Sequence, residues 1–135
     1  MASKKHLFII SCLARKMREK GYEIVAFDGK WQNIGLVKLK MPFQITRHRP
    51  DIIGIKPNTS KVCVGEGKTS NDLHTQRTKE QIKDFADAEG CELIIGAPKS
   101  CEKKLLDLLS EMKLEQKKNI SYILIPEELM PNGKI

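Results

Sequence analysis

Residues 49–68 read RPDIIGIKPNTSKVCVGEGK, and this stretch decides the fold that we predict for the chain. Apolar residues occupy every second position on both sides of the polar segment KPNTSK: Ile53, Ile55, Val62 and Val64. Such alternation is typical of a β-strand with one buried face. The segment KPNTSK is rich in residues that favour turns. The stretch therefore predicts a β-hairpin.

The predicted hairpin sets two carboxylates opposite each other. If the apolar faces of the two arms coincide, Ile53 pairs with Val64, and the register is fixed because a slip of one residue would turn every side chain to the other face. The same register pairs Asp51 with Glu66. Opposed residues lie about 5 Å apart at Cβ, so two carboxylates there repel each other unless a positive group lies between them. Lys68 is one candidate, and a divalent metal ion is the other.

The pair Pro-Asp at 50–51, followed by Glu-Gly-Lys at 66–68, resembles the signature of the PD-(D/E)XK nucleases. The resemblance implies a Mg²⁺ or Mn²⁺ ion held by Asp51 and Glu66 with help from the Gly67 carbonyl. It also implies that Lys68 positions or activates the attacking water. The fold implied is restriction-endonuclease-like, a three-layer α/β (α+β) arrangement in which helices flank a central mixed β-sheet and an antiparallel hairpin carries the site.

A second element of the resemblance lies downstream of the hairpin. The segment QIKDF at 81–85 is similar to the Gln-x-x-x-Tyr element of the exonuclease branch, with Phe85 in the place of Tyr. This similarity adds Gln81 to the expected catalytic group, as a residue that positions its neighbours. Gln76 is an alternative for the same task.

Residues 65–69, GEGKT, also look like the end of a phosphate-binding P-loop. That motif requires an earlier glycine where this chain has Val62, and it requires a helix that begins at the Lys-Thr pair. Neither requirement is met by the sequence, so we favour the nuclease interpretation.

The remaining chain predicts a helix over 3–20, strands over 22–27 and 33–40, and a helix over 75–89. A strand over 91–97, a helix that Ser100 can cap, and a last strand over 120–125 follow. At 135 residues the chain is expected to form one domain, residues 1–135.

The net charge of the chain indicates which kind of binding partner to expect. The formal net charge is +7 with a pI of about 9.3, which favours polyanions and above all nucleic acid. Five basic residues are candidates for phosphate contacts: Lys16, Arg47, His48, Arg49 and Arg77. His6 and His74 have no assignable partner and are interpreted as surface residues.

The four cysteines show no metal-binding spacing, and the apolar run near the N-terminus is too short for a signal peptide. No stretch reaches the ~20 apolar residues of a membrane span. These features favour a cytoplasmic protein that does not bind membranes.

Three functions remain open at this point. The first is a Mg²⁺-dependent endo- or exonuclease acting on DNA, similar to the archaeal Holliday-junction resolvases of DNA repair and recombination, which would imply a homodimer. The second is a non-catalytic nucleic-acid-binding domain of the same fold that serves as an accessory subunit. The third is a structural or protein-interaction domain whose positive charge only maintains solubility.

Overall fold

The computed structural model describes residues 3–28, 42, 44, 45 and 47–130. Eight regular elements follow one another along these residues: α1 (Lys4–Glu19), β1 (Glu23–Phe27), β2 (Ile52–Ile55), β3 (Val62–Gly67), α2 (Gln76–Asp87), β4 (Cys91–Pro98), α3 (Glu102–Glu111) and β5 (Ile120–Ile125). Short 3₁₀ turns precede α3 and follow β5. The strand predicted at 33–40 lies outside the described residues.

The five strands form one mixed sheet in the order β1-β2-β3-β4-β5. Strand β2 is antiparallel to both of its neighbours, β1 and β3, whereas β3, β4 and β5 are parallel to one another. The predicted hairpin register is confirmed, since Ile53 pairs with Val64 and Ile55 pairs with Val62. The protein therefore has the predicted α+β class, with a central mixed sheet and an antiparallel hairpin.

Helices cover both faces of the sheet, because successive strand residues point to opposite sides. Ile52, Cys63 and Ile94 pack on one face with the apolar stripe of α1. Val64 and Leu93 pack on the other face with the buried residues of α2 and α3. The result is a sheet between two helical layers.

Helix α1 lies close to the sheet because glycines face it. A Cβ atom added at Gly65 would lie 2.6 Å from Ile52 Cγ2 and 2.8 Å from Met17 Cε, both shorter than any normal contact. A Cβ atom at Gly96 would lie 2.8 Å from Ile9 Cγ2. The absence of side chains at these positions lets the helix approach β4 and β3, the strand that carries Glu66.

Side-chain caps fix where α1 and α2 begin. The Ser3 hydroxyl accepts a hydrogen bond from the backbone N–H of His6, and the Thr75 hydroxyl accepts one from Thr78. The predicted cap by Ser100 is wrong, because the chain first makes a 3₁₀ turn over Lys99–Cys101 and α3 begins without a side-chain cap.

No helix in the described ranges combines the length and apolar character needed to cross a lipid bilayer.

Candidate active site

The two predicted acids meet where β2 begins and β3 ends. The backbone N–H of Asp51 donates to Glu66 Oε2 at 2.7 Å, and the backbone N–H of Gly67 donates to Asp51 Oδ2 at 2.8 Å. The hairpin register thus brings together side chains that are fifteen residues apart in the sequence.

Lys68 lies between an acid and an amide. Its Nζ is 3.3 Å from Glu66 Oε1 and donates to Gln81 Oε1 at 2.5 Å. Glu66 and Lys68 follow Val64 at alternate positions, so both point toward α2, which carries Gln81. The contact between Gln81 and the hairpin is therefore as predicted, whereas Gln76 is exposed.

Glu66 is only 1% exposed, and this burial is the largest cause of the shift in its pKa. Burial raises the pKa of Glu66 well above its ordinary value, and the negative charge of Asp51 raises it further. The positive charge of Lys68 lowers the pKa, but the net shift is upward. An additional cation beside these acids would offset the repulsion and favour the ionised form.

His6 joins this group, so its interpretation as a surface residue is wrong. Its Nε2 lies 3.1 Å from Asp51 Oδ2, and its side chain is 22% exposed. Burial alone would lower the pKa of His6, but the hydrogen bond and the charge of Asp51 outweigh it and raise the pKa. No local motif marks His6, because its partner lies 45 residues further along the chain. His74 is exposed, as predicted.

The donor set fits a hard divalent cation. Mg²⁺ prefers oxygen ligands and is often bound by only one or two carboxylates, because it keeps several of its waters. Asp51 and Glu66 supply two carboxylates, and the Gly67 carbonyl belongs to the same strand end. The described residues contain no group of three or more His, Cys, Asp or Glu side chains arranged to hold a metal ion, so water molecules would complete the coordination.

Of the residues predicted to contact phosphates, two bond to an acid of α2 and two others are exposed. Arg47 and His48 both bond to Asp84 on α2: Arg47 Nη2 lies 3.1 Å from Asp84 Oδ1, and His48 Nδ1 lies 2.8 Å from Oδ2. Arg49 and Arg77 are exposed. Arg49 lies two residues before Asp51, and Arg77 lies one helical turn before Gln81, which contacts Lys68.

Lys16 does not join this group. It lies ten residues after His6 on α1, which corresponds to about 15 Å along the helix axis. Lys16 is exposed, and Lys20, one helical turn further along α1, bonds to Glu92 near the start of β4, at the opposite end of the sheet from Asp51.

We expect the contact between Asp84 and Arg47 to stabilise the protein at neutral pH but not in acid. The hydrogen bond from Arg47 is the largest cause that lowers the pKa of Asp84 below its ordinary 3.8, and His48 lowers it further. Stability from a depressed carboxyl pKa is present above the unfolded value and is lost as the pH falls through the folded value. Asp84→Asn should therefore lower Tm by a few degrees at pH 6–7, and the difference should shrink as the pH falls below 3.8 and through the folded pKa.

Thermal unfolding followed by circular dichroism across this pH range measures the effect. Asp87→Asn is the matched control, because Asp87 lies on the same helix and is exposed. A difference for Asp84→Asn that stayed constant down to pH 3 would contradict this account.

The P-loop alternative is excluded by the secondary structure. Gly65 and Gly67 belong to strand β3, and the next helix begins only at Gln76. A P-loop requires its helix to start at the Lys-Thr pair, so no helix N-terminus is available at Lys68 and Thr69 to bind a diphosphate.

Fold and site together define an α+β protein with a cluster at one end of a mixed sheet, in which Glu66, Lys68 and Gln81 are buried and Asp51 and His6 are partly exposed. Comparison with known proteins gives no match among family models, curated proteins or solved structures. The geometry of the cluster is therefore the basis for the functional proposal.

Proposed function

We propose that this protein is a metal-dependent nuclease of restriction-endonuclease-like fold that hydrolyses phosphodiester bonds in DNA. One observation carries the proposal: Asp51, Glu66 and Lys68 converge at the end of the hairpin although Glu66 is almost fully buried. Burying two acids side by side is costly, and such perturbed groups concentrate at functional sites. A divalent cation would offset this cost.

In this proposal Asp51 and Glu66 hold Mg²⁺ or Mn²⁺, with the Gly67 carbonyl beside them. The bound ion would lower the pKa of a water molecule and offset the negative charge that develops on the phosphoryl oxygens. Lys68 donates a hydrogen bond to the attacking water or to a phosphoryl oxygen, and Gln81 fixes the position of its ammonium group. His6 orients the carboxylate of Asp51.

Exposed basic side chains near the acids support nucleic acid as the substrate. Arg49 and Arg77 are available for phosphates, and Arg47 remains 56% exposed although it bonds to Asp84. Contacts of this kind predict binding that is sensitive to salt and largely independent of base sequence. The resemblance to archaeal Holliday-junction resolvases extends the proposal to branched DNA and to a homodimer.

The direct test is a cleavage assay on duplex, single-stranded and branched DNA and on RNA, each with and without Mg²⁺ or Mn²⁺. We expect cleavage of at least one DNA substrate that requires the metal and is lost in Asp51→Asn. Failure of a clean preparation to cut any of these substrates would reject the nuclease proposal.

We expect Mn²⁺ to bind the wild-type protein with measurable heat and to bind Asp51→Asn at least about tenfold more weakly. The reason is that the amide carries no charge and one of two carboxylate ligands is lost; a tenfold loss corresponds to about 1.4 kcal/mol. Isothermal titration calorimetry measures both affinities. Asp107→Asn, which changes an exposed acid on α3, is the control and should bind Mn²⁺ as the wild type does. Equal binding by Asp51→Asn would show that the ion lies elsewhere.

A second candidate is a non-catalytic nucleic-acid-binding protein of the same fold. The observation that favours it is that Lys68 and Asp51 are already bonded to Gln81 and His6, so protein groups alone satisfy part of the cluster. This candidate predicts salt-sensitive DNA binding without heat of Mn²⁺ binding and without cleavage. The calorimetric and cleavage experiments above therefore discriminate between the two functions.

A further inference from the structure

A cavity of about 690 Å³ lies at the end of the sheet opposite the acids. Val62, the first residue of β3, lines it, and Gly67, the last residue of the same strand, contacts Asp51. The length of this strand separates the two places by about 17 Å. Cavities of about 300–1,000 Å³ are typical of small-molecule sites. The size therefore favours a compact ligand over a nucleic-acid duplex.

The lining of the cavity is strongly positive. It contains two acids and five lysines: Lys20, Lys56, Lys61, Lys117 and Lys118. Each acid is already paired with a lysine of the lining. Lys20 Nζ bonds to the carboxylate of Glu92, and Lys117 Nζ lies 3.6 Å from Asp87 Oδ1.

Three lysines of the lining remain without an ion pair among the described residues: Lys56, Lys61 and Lys118. They come from the two ends of the hairpin turn and from the segment before β5. Lys56 lies over the ring of Tyr22, with its Nζ 5.1 Å from the ring centroid, which fixes the direction of its ammonium group. A surplus of three positive charges in one concavity calls for a multiply charged anion.

The walls of the cavity are tied together by hydrogen bonds. The side-chain amide of Asn119 donates to the Ala86 carbonyl at 3.0 Å and to the Cys91 carbonyl at 3.1 Å. The backbone N–H of Val62 donates to the Gly90 carbonyl at 3.1 Å. These bonds join α2, β3, β4 and the segment before β5, so the cavity is formed before a ligand arrives.

Covalent chemistry is not expected in this cavity. Burial raises the pKa of the Cys91 thiol to about 11, so the thiol stays protonated at neutral pH and is a poor nucleophile. Cys91 therefore does not supply a nucleophile to this cavity.

We propose that this cavity binds a di- or polyphosphate group, with Lys56, Lys61 and Lys118 contacting its oxygens. Lysine binds phosphate as a point charge, and a diphosphate carries enough negative charge to match three lysines, whereas a single carboxylate does not. The group can belong to a free compound that carries a diphosphate or longer chain, or to the 5′-triphosphorylated end of a nucleic-acid strand. The site is separate from the acids and does not depend on the proposed nuclease activity.

Titration calorimetry with pyrophosphate, at low salt and without divalent metal, tests the proposal. We expect saturable binding that the double variant Lys61→Gln/Lys118→Gln weakens by about tenfold or more, since charge-assisted contacts contribute over 1 kcal/mol each. The control is the double variant Lys99→Gln/Lys103→Gln, which removes the same charge from exposed positions in the 3₁₀ turn before α3 and in α3 itself. It should bind pyrophosphate as the wild type does. No saturable heat, or an equal loss in both double variants, would overturn the proposal.

Two further experiments identify the source of the phosphate group and distinguish this cavity from the site at the acids. Displacement of pyrophosphate by a 5′-triphosphorylated oligonucleotide but not by its 5′-hydroxyl form identifies a strand end, and displacement by neither identifies a free compound. Lys68→Met should keep full pyrophosphate binding, which makes failure of the nuclease proposal distinguishable from failure of this one. Loss of pyrophosphate binding in Lys68→Met would place the anion at the acids and overturn the second site.

Discussion

Replacing Lys68 by methionine is expected to lower kcat for DNA cleavage by at least about 10²–10³-fold, the range observed when one preorganised donor to a transition state is lost. Methionine keeps the length and apolar stem of lysine but removes the ammonium group that lies 3.3 Å from Glu66 and donates to Gln81. Affinity for DNA should be unchanged, because Lys68 is only 7% exposed and contributes little to the surface charge. Single-turnover cleavage and fluorescence anisotropy measure the two quantities separately.

The matched control is Lys103→Met, which removes an exposed lysine from α3. Its cleavage rate should equal that of the wild type. Because Lys68→Met leaves the buried Glu66 without its cation, the fold must be checked by circular dichroism, and Gln81→Ala supplies a second variant. Gln81→Ala frees the ammonium group without removing it, so it should slow cleavage less than Lys68→Met does. Full cleavage by Lys68→Met would reject Lys68 as a participant.

Replacing Glu66 by glutamine is expected to stabilise the metal-free protein at neutral pH. Burial and the charge of Asp51 raise the pKa of Glu66 well above 4.5, so the folded state holds more protons than the unfolded state above that pH. Stability of the wild type therefore falls as the pH rises from 4.5 through the folded pKa, and the neutral amide removes this loss. Relieving an incompletely compensated buried charge is worth about 1 kcal/mol or more, so a gain in Tm of several degrees is expected at pH 7.

Differential scanning calorimetry between pH 4 and pH 8 measures the two stabilities. The advantage of Glu66→Gln should shrink toward pH 4.5, and saturating Mn²⁺ should reverse it, because only the wild type keeps both carboxylates for the ion. Glu115→Gln, an exposed acid, is the control and should follow the wild type. A pH-independent difference between Glu66→Gln and the wild type would show that the shift in the pKa of Glu66 is not its cause.

Much of the candidate site was predictable because it depends on the period of a strand. Residues on one face of a strand recur at every second position, so the apolar alternation around Ile53 and Val64 also fixes which face Asp51 and Glu66 occupy. The helical spacing on α2 similarly placed Gln81 beside the buried stripe, within reach of Lys68. These inferences needed only local periodicity and one hairpin turn.

Other contacts could not be predicted, because they depend on how separate elements pack. His6 reaches Asp51 because α1 lies over Gly65 and Gly96, a close approach that the spacing of apolar residues does not reveal. The hydrogen bonds to Asp84 likewise tie Arg47 and His48 to a helix 36 or more residues away, where the sequence suggested only a basic segment beside the acids.

The sequence by itself determined the mixed α and β elements, the hairpin and its register, and the meeting of Asp51 with Glu66, because short-range periodicity dictates which face each side chain occupies. Only the tertiary structure decided that His6 completes the cluster and that a lysine-lined cavity forms at the far end of the sheet. Both features are assembled from segments distant in the chain. Their positions follow from the packing of helices on the sheet, which no local pattern encodes.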